Sequence, residues 1–172
     1  AIENKPFTLN IRVAGDVLPQ NASILYNDEN YFLQQKAPGH FQYTFSQPQD
    51  ATTFRLQANE VTSKPYILDV VKTPSLLSFE MELDYPNYTQ RRDETLKSTG
   101  NAIIPEGTRV TWKMNTKQTN NVTLKAPDSN YVFSNKAPLF EFSKPVYSKF
   151  DYEISTSNEQ LKDYENLSFT IN

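Results

Sequence analysis

Cysteine is absent from these 172 residues, so no disulfide can staple the chain. That absence leaves the compartment open, since an exported bacterial domain need not carry one. Glycine is scarce at 4 residues, and histidine and tryptophan occur once each. No G-x-S-x-G, H-E-x-x-H, Walker A or dinucleotide-binding glycine motif is present, which removes the sequence signatures of the common hydrolases, zinc proteases and nucleotide enzymes. No run of about 18 apolar residues exists to span a bilayer as a helix. Excess positive charge is missing too. The formal charge is -3, with 6 basic and 7 acidic residues before Pro74 and 11 and 13 from there on. Neither half has the basic footprint of a phosphate-driven nucleic-acid binder.

What the chain does have is a repeat. Asn21-Ala-Ser-Ile-Leu-Tyr-Asn-Asp-Glu-Asn-Tyr-Phe-Leu-Gln-Gln-Lys-Ala-Pro38 returns without a gap as Asn121-Val-Thr-Leu-Lys-Ala-Pro-Asp-Ser-Asn-Tyr-Val-Phe-Ser-Asn-Lys-Ala-Pro138. Asn21, Asp28, Asn30, Tyr31, Lys36, Ala37 and Pro38 are each matched by the same residue one hundred positions on. Phe45-Ser-Gln-Pro48 has its counterpart in Phe142-Ser-Lys-Pro145, and Thr53-Phe-Arg-Leu56 is matched with Lys149-Phe-Asp-Tyr152. Such self-similarity means one small domain used twice. Aromatic residues make up 13% of the chain, enough to fill a core in each copy.

Period-two alternation dominates. Leu9, Ile11 and Val13 share a face, as do Phe41, Tyr43 and Phe45, then Phe54, Leu56 and Ala58. In the repeat, strands are expected over 23–26 and 31–35, with Asn27-Asp-Glu-Asn30 between them. Pro65–Val71 is expected to close the first unit. Leu77, Phe79, Met81, Leu83 and Tyr85 form the cleanest apolar face. Their neighbours Glu80, Glu82 and Asp84 point outward. A flat strand does not wrap a calcium ion, so these acids read as a solvated face protecting a sheet edge. Ile103-Ile104 is expected as a short strand and Ser157–Lys162 as a helical turn. Val110, Trp112 and Met114 point inward, with Trp112 as core plug; this strand is matched with Leu9-Ile11-Val13. Phe150, Tyr152 and Ile154, then Leu167–Ile171, complete the second unit. Phe41, Phe54, Phe79, Leu83, Trp112, Phe150, Tyr152 and Phe169 are the expected core.

Each copy therefore offers six or seven short strands with frequent turn signals. The expected fold is all-β: two tandem immunoglobulin-like antiparallel β-sandwich domains, residues 1–73 and 74–172. The first is expected to lack most of its N-terminal strand, the counterpart of Leu77–Tyr85, and both chain ends are expected to be cuts in a longer protein. The join Val71-Lys-Thr-Pro-Ser75 contains no glycine, so an end-to-end pair with limited hinge freedom is expected.

No residue presents itself as catalytic, cofactor-binding or metal-binding. His40 falls on an outward phase beside the Pro38-Gly39 turn and reads as a surface residue. The Asn-x-Ser/Thr triplets at Asn21, Asn87, Asn121 and Asn166 read as chance in an Asn- and Thr-rich chain.

The segments Thr73-Pro74, Leu83-Asp-Tyr-Pro-Asn-Tyr-Thr89 and Ile104-Pro-Glu-Gly-Thr-Arg-Val-Thr-Trp112 carry a resemblance. They resemble a family of large, uncharacterised membrane-anchored proteins of Bacteroides-type bacteria, in which a P-x-Y-T segment leads to a P-E-G-T-x-V-x-W strand. Val17-Leu-Pro19 and Ser63-Lys-Pro-Tyr-Ile-Leu-Asp-Val70 fit the preceding domain of that family. The resemblance implies tandem immunoglobulin-like domains on the periplasmic or extracellular side of a bacterial membrane, anchored by segments outside this stretch. It supplies no catalytic residue and no cofactor. The expected function is a non-catalytic spacer or protein-docking arm whose partners are other proteins or other domains of the same chain. Nucleic acid and membrane insertion are not expected. A carbohydrate-binding module, with a glycan as partner, is the alternative.

Overall fold

The computed structural model describes all residues, 1–172, and the chain divides into two compact units, Ala1–Lys72 and Thr73–Asn172. It is all-β, with one 3-10 turn at Asn87–Thr89, and no helix is long and apolar enough to cross a membrane. Each unit is an immunoglobulin-like antiparallel β-sandwich.

The first unit contains β1 (Phe7–Arg12), β2 (Ala22–Tyr26), β3 (Glu29–Phe32), β4 (Gln34–Ala37), β5 (His40–Phe45), β6 (Thr52–Ala58), β7 (Val61–Thr62) and β8 (Tyr66–Leu68). One sheet runs β1-β5-β4. The other runs β3-β2-β6, with β7 and β8 both pairing β6. Between the sheets lie Ile24, Leu33, Phe41, Phe45, Phe54 and Leu68.

The second unit contains β9 (Ser75–Asp84), β10 (Glu94–Lys97), β11 (Thr108–Lys117), β12 (Asn121–Ala126), β13 (Ser129–Val132), β14 (Ser134–Lys136), β15 (Leu139–Val146), β16 (Phe150–Ser157) and β17 (Glu165–Ile171). Its sheets are β10-β9-β11-β15-β14 and β13-β12-β16-β17. The core is larger, with Met81, Leu83, Val110, Trp112, Met114, Phe140 and Ile154 all within 2% of full burial.

The two copies of the repeat occupy the same topological place. β2 and β12 each form a hairpin with the following strand and pair β6 or β16 on the other side. The expected second strand, 31–35, is in fact two strands in different sheets. The chain crosses between them at Leu33, and at Phe133 in the second copy. Both are buried, and their N–H groups bond the carbonyls of Ala22 and Val122 at 2.8 and 3.0 Å. A backbone changing sheets needs an apolar plug there, since its side chain enters the core from the flank.

Registers correct three matches between the units. Gln35 faces Phe41 and Asn135 faces Phe140, so Tyr43 rather than Phe45 is the counterpart of Phe142. Leu9 lies opposite Tyr43 and Trp112 opposite Phe142, which makes Leu9 the counterpart of Trp112 and Ile11 that of Met114. Likewise Ile24 faces Leu56 and Leu124 faces Ile154, which makes Tyr152 the counterpart of Phe54. Period-two alternation fixes the face of a strand but leaves slips of two or four residues undetermined.

Other expectations shift for local reasons. Leu77 is exposed because β9 carries a bulge: Ser78 faces Asn115, but the next partner, Thr116, faces Leu76. One extra residue reverses the phase beyond it. The closing strand of the first unit shrinks to Tyr66–Leu68. It pairs Thr52–Phe54, and beyond it Val71 leaves that partner to bridge Ile2 in parallel, its N–H donating to the Ala1 carbonyl at 2.8 Å. Ile103-Ile104 amounts to one parallel bridge, Ala102 with Ile171. Ser157–Lys162 forms no helical turn; the Asn158 side chain accepts the N–H groups of Gln160 and Leu161 and holds a loop. Phe150 and Phe169 are half-buried, the first at the start of β16 and the second on the edge strand β17.

Candidate functional site

The acids of β9 do not protect an edge, because β9 lies between β10 and β11. Glu82 faces Thr111 and Thr95 in register, and its carboxylate reaches diagonally to the Lys113 ammonium at 2.7 Å. Glu80 approaches Lys97 at 3.4 Å. Lys113 is held above its usual pKa by the Glu82 hydrogen bond. Cross-strand charge pairing of this kind stabilises modestly.

The first unit carries a tyrosine cluster beneath the same repeat. Tyr26 stacks on Tyr31 at 5.0 Å between ring centroids, and its hydroxyl shares a hydrogen bond of 2.8 Å with Tyr43. Tyr31 donates to the Glu29 carboxylate, which with partial burial pushes its hydroxyl up to about 12. Burial and then the Tyr26 bond hold the Tyr43 hydroxyl up as well. Tyr31 and Tyr43 therefore stay neutral donors under ordinary conditions, and the cluster packs upon itself.

Exposed aromatic side chains lie elsewhere. Phe32 is 84% exposed on β3, and Val132 stands in its place on β13. In the second unit Tyr88 and Tyr147 are both exposed beside the Glu106-Gly107 turn: the Tyr88 hydroxyl donates to the Glu106 carbonyl at 2.6 Å, and Tyr147 borders Gly107. His40 is exposed at the start of β5. No three metal-ligating side chains come together.

The largest difference between the units is at one sheet edge. β11 is flanked by β15 on one side and β9 on the other, whereas its counterpart β1 is the outermost strand of its sheet. Val13 donates to the Gly39 carbonyl at 2.8 Å, in register with the Ile11–Phe41, Leu9–Tyr43 and Phe7–Phe45 pairs. Antiparallel pairs alternate, so the odd residues spend their backbone groups on β5, and those of Thr8, Asn10 and Arg12 point away from the sheet. Phe7, Leu9 and Ile11 are only half-buried. Beside this edge runs a groove of about 430 Å³, lined by Ile11, Val13, Leu56, Ala58, Val61 and Tyr66 among others. In the second unit the corresponding flank is filled by β9: Met81 faces Trp112, Phe79 faces Met114, and the Phe79 ring lies 5.4 Å from Phe169. The sequence pattern places Leu9 and Ile11 on an inward face but carries no signal for what lies beside a strand.

No family model matches the chain, and no curated protein matches it. Several solved structures are similar. A chimeric titin Z1Z2-Z1Z2 tandem carrying an exogenous fibronectin peptide is 9% identical, with a TM-score of 0.40, over 99% of this chain and 91% of that one. The fibronectin(III)-like modules of Clostridium thermocellum CbhA are 13% identical, with a TM-score of 0.38, over 99% and 86%. The titin domains Z1Z2 in complex with telethonin are 13% identical, with a TM-score of 0.37, over 99% and 89%.

Proposed function

We propose that the chain is a non-catalytic, extracytoplasmic interaction module, a spacer or protein-docking arm within a larger membrane-anchored protein. One observation carries this reading: the same sandwich is used twice with almost no linker between the copies. Lys72 is tied into the first unit by Asp50 at 2.8 Å, Glu3 at 3.2 Å and the Gln49 carbonyl at 2.6 Å. β9 already begins at Ser75. Only Thr73 and Pro74 intervene, and Pro74 restricts both its own φ and the conformation of Thr73. A short, proline-stiffened join suits a part that sets distance or orientation. The cross-strand pairing of Glu80 and Glu82 with lysines supports a non-catalytic role.

Small-angle scattering of the 172-residue chain tests the spacer. The expected result is an extended particle with a narrow distribution of interdomain distances. A compact side-by-side particle, or a broad distribution, overturns it. Protease accessibility of the parent protein on intact and permeabilised cells tests the location. The carbohydrate-binding alternative draws its support from Tyr88 and Tyr147 beside the Glu106-Gly107 turn, since exposed rings can stack on sugar faces. Glycan-array binding lost on Tyr147→Ala would favour it over the spacer.

A further inference from the structure

We infer that the Glu3–Lys72 ion pair is an orientation lock on the join: it fixes the direction in which the chain leaves the first unit, and the first unit does not need it to fold. This deepens the spacer reading and rests on it.

Lys72 is the last residue of the first unit. Three acceptors surround its ammonium, which has three N–H donors to give: the Gln49 carbonyl at 2.6 Å, Asp50 Oδ1 at 2.8 Å and Glu3 Oε1 at 3.2 Å. Gln49 and Asp50 belong to the loop between β5 and β6, and Glu3 to the segment before β1. Those two segments are already joined through the backbone, since the Asn4 N–H donates to the Pro48 carbonyl at 2.9 Å. Lys72 therefore fastens the exit of the chain to a rim that is itself fastened. With Thr73 next and Pro74 beyond it, restraining Lys72 restrains the path out.

The two carboxylates differ. Asp50 is 83% exposed, so water and salt weaken its pull. The Glu3 side chain is only 11% exposed. A carboxylate so placed costs desolvation energy that its partner repays only in part, and an apolar side chain would fill the same volume as well or better.

The second unit has such a side chain in that place. The Glu3 N–H donates to the Val71 carbonyl, and the Val71 N–H to the Ala1 carbonyl. In the second unit the Ile104 N–H donates to the Asn172 carbonyl, and the Asn172 N–H to the Ala102 carbonyl. The ladders match step for step, so Ile104 is the counterpart of Glu3, and it packs against the core. The sandwich accepts isoleucine there. What the ion pair adds is direction. An apolar contact is satisfied by many arrangements, whereas an ammonium set among fixed oxygens is satisfied by few.

The test uses the isotope-labelled 172-residue chain as wild type and as the double variant Glu3→Ile, Lys72→Met. The variant copies the residue of the second unit into position 3 and removes the ammonium. Residual dipolar couplings in a weakly aligning medium read the alignment of each unit separately. Units held in one direction share one alignment magnitude, and units free to swing do not. The expected result is a shared magnitude in the wild type and its loss in the variant. The thermal midpoint of the first unit, followed by the amide signals of β6, is expected to stay or rise. A variant that keeps the shared magnitude overturns the lock and leaves the spacer standing, its stiffness then resting on Pro74. A wild type with unequal magnitudes overturns both. A variant whose first unit unfolds, or melts well below the wild type, also overturns the lock, because the pair would then be holding the fold rather than the direction.

Discussion

The indole N–H of Trp112 donates to the hydroxyl of Tyr152 at 2.9 Å, with both side chains buried. That hydroxyl in turn donates to the Gly100 carbonyl at 2.6 Å. One oxygen therefore satisfies a buried donor and a buried acceptor on different elements, and ties the strand β16 to β11 and to the segment before it. Tyr152→Phe keeps the ring but strands both partners. The expected loss is about 2–4 kcal/mol of stability, the penalty for leaving one or two buried polar groups unmet. Urea unfolding followed by the fluorescence of Trp112, the only tryptophan, reads this unit alone.

The same hydroxyl makes the second unit sensitive to alkali. Burial holds it above the ordinary 10.0 of a tyrosine. The folded state then keeps a proton that the unfolded chain releases, so the contribution is full below about pH 10 and lost as pH rises through the folded value. Tyr85 is raised too, chiefly by burial and by its bond to Glu94. Stability should fall above pH 10 in the wild type, and Tyr152→Phe should flatten that fall without abolishing it. An identical alkaline slope in the variant would mean the tyrosine is not the group responsible.

Gly100 is required where Gly15 is not. A Cβ on Gly100 would stand 2.5 Å from Phe169 Cγ and 2.6 Å from the Tyr152 hydroxyl, whereas at Gly15 nothing lies within 4 Å. Gly100→Ala should cost about 1–3 kcal/mol by overpacking. Gly15→Ala should be neutral, or stabilise by up to about 1 kcal/mol through the unfolded chain. Thermal melts of the two variants compare them directly.

What the sequence made legible follows from what alternation encodes. The inward faces of Phe41, Phe54, Phe79, Leu83, Trp112 and Tyr152 were readable because a half-buried strand must alternate. The repeat showed that one architecture occurs twice. Lateral relations were not readable. The sheet crossing at Leu33 and Phe133, the central position of β9 and the outermost position of β1 depend on which strand lies beside which, and local pattern does not record that. Gly100 was missed because its role is to be small beside residues distant in sequence.

The two repeat turns offer a matched comparison. Asn27 and Asp28 both have positive φ, 52° and 60°, the geometry of a two-residue hairpin turn that follows strand twist. The equivalent Pro127-Asp128 turn has neither residue at positive φ, as proline requires. Asn27→Pro, which copies the second turn into the first, should destabilise by about 1–3 kcal/mol because the local backbone cannot reach its native φ. Asn27→Gly should be neutral or slightly stabilising. If Asn27→Pro is tolerated, the first hairpin can adopt the second turn type and its left-handed geometry is not imposed by the strands.

The bulge in β9 yields the sharpest contrast between adjacent residues. Simple alternation from Phe79 puts Leu77 in the core and Leu76 in solvent. The extra residue in β9, Leu77 itself, opposite the Asn115/Thr116 step, reverses this, leaving Leu77 60% exposed while Leu76 packs against the core. Leu76 is fixed further by its N–H, which donates to the Glu165 carboxylate at 2.8 Å. Leu76→Ala removes apolar contact from a half-buried site and should cost about 1–2 kcal/mol, less than a fully buried leucine. Leu77→Ala should change stability by no more than about 0.5 kcal/mol, as for an exposed side chain without special contacts. Denaturant midpoints of the two single variants, read by Trp112, decide between the phases. Equal costs, or a larger cost at Leu77, would mean that β9 runs straight along β11 in solution and that the bulge is not part of its native register.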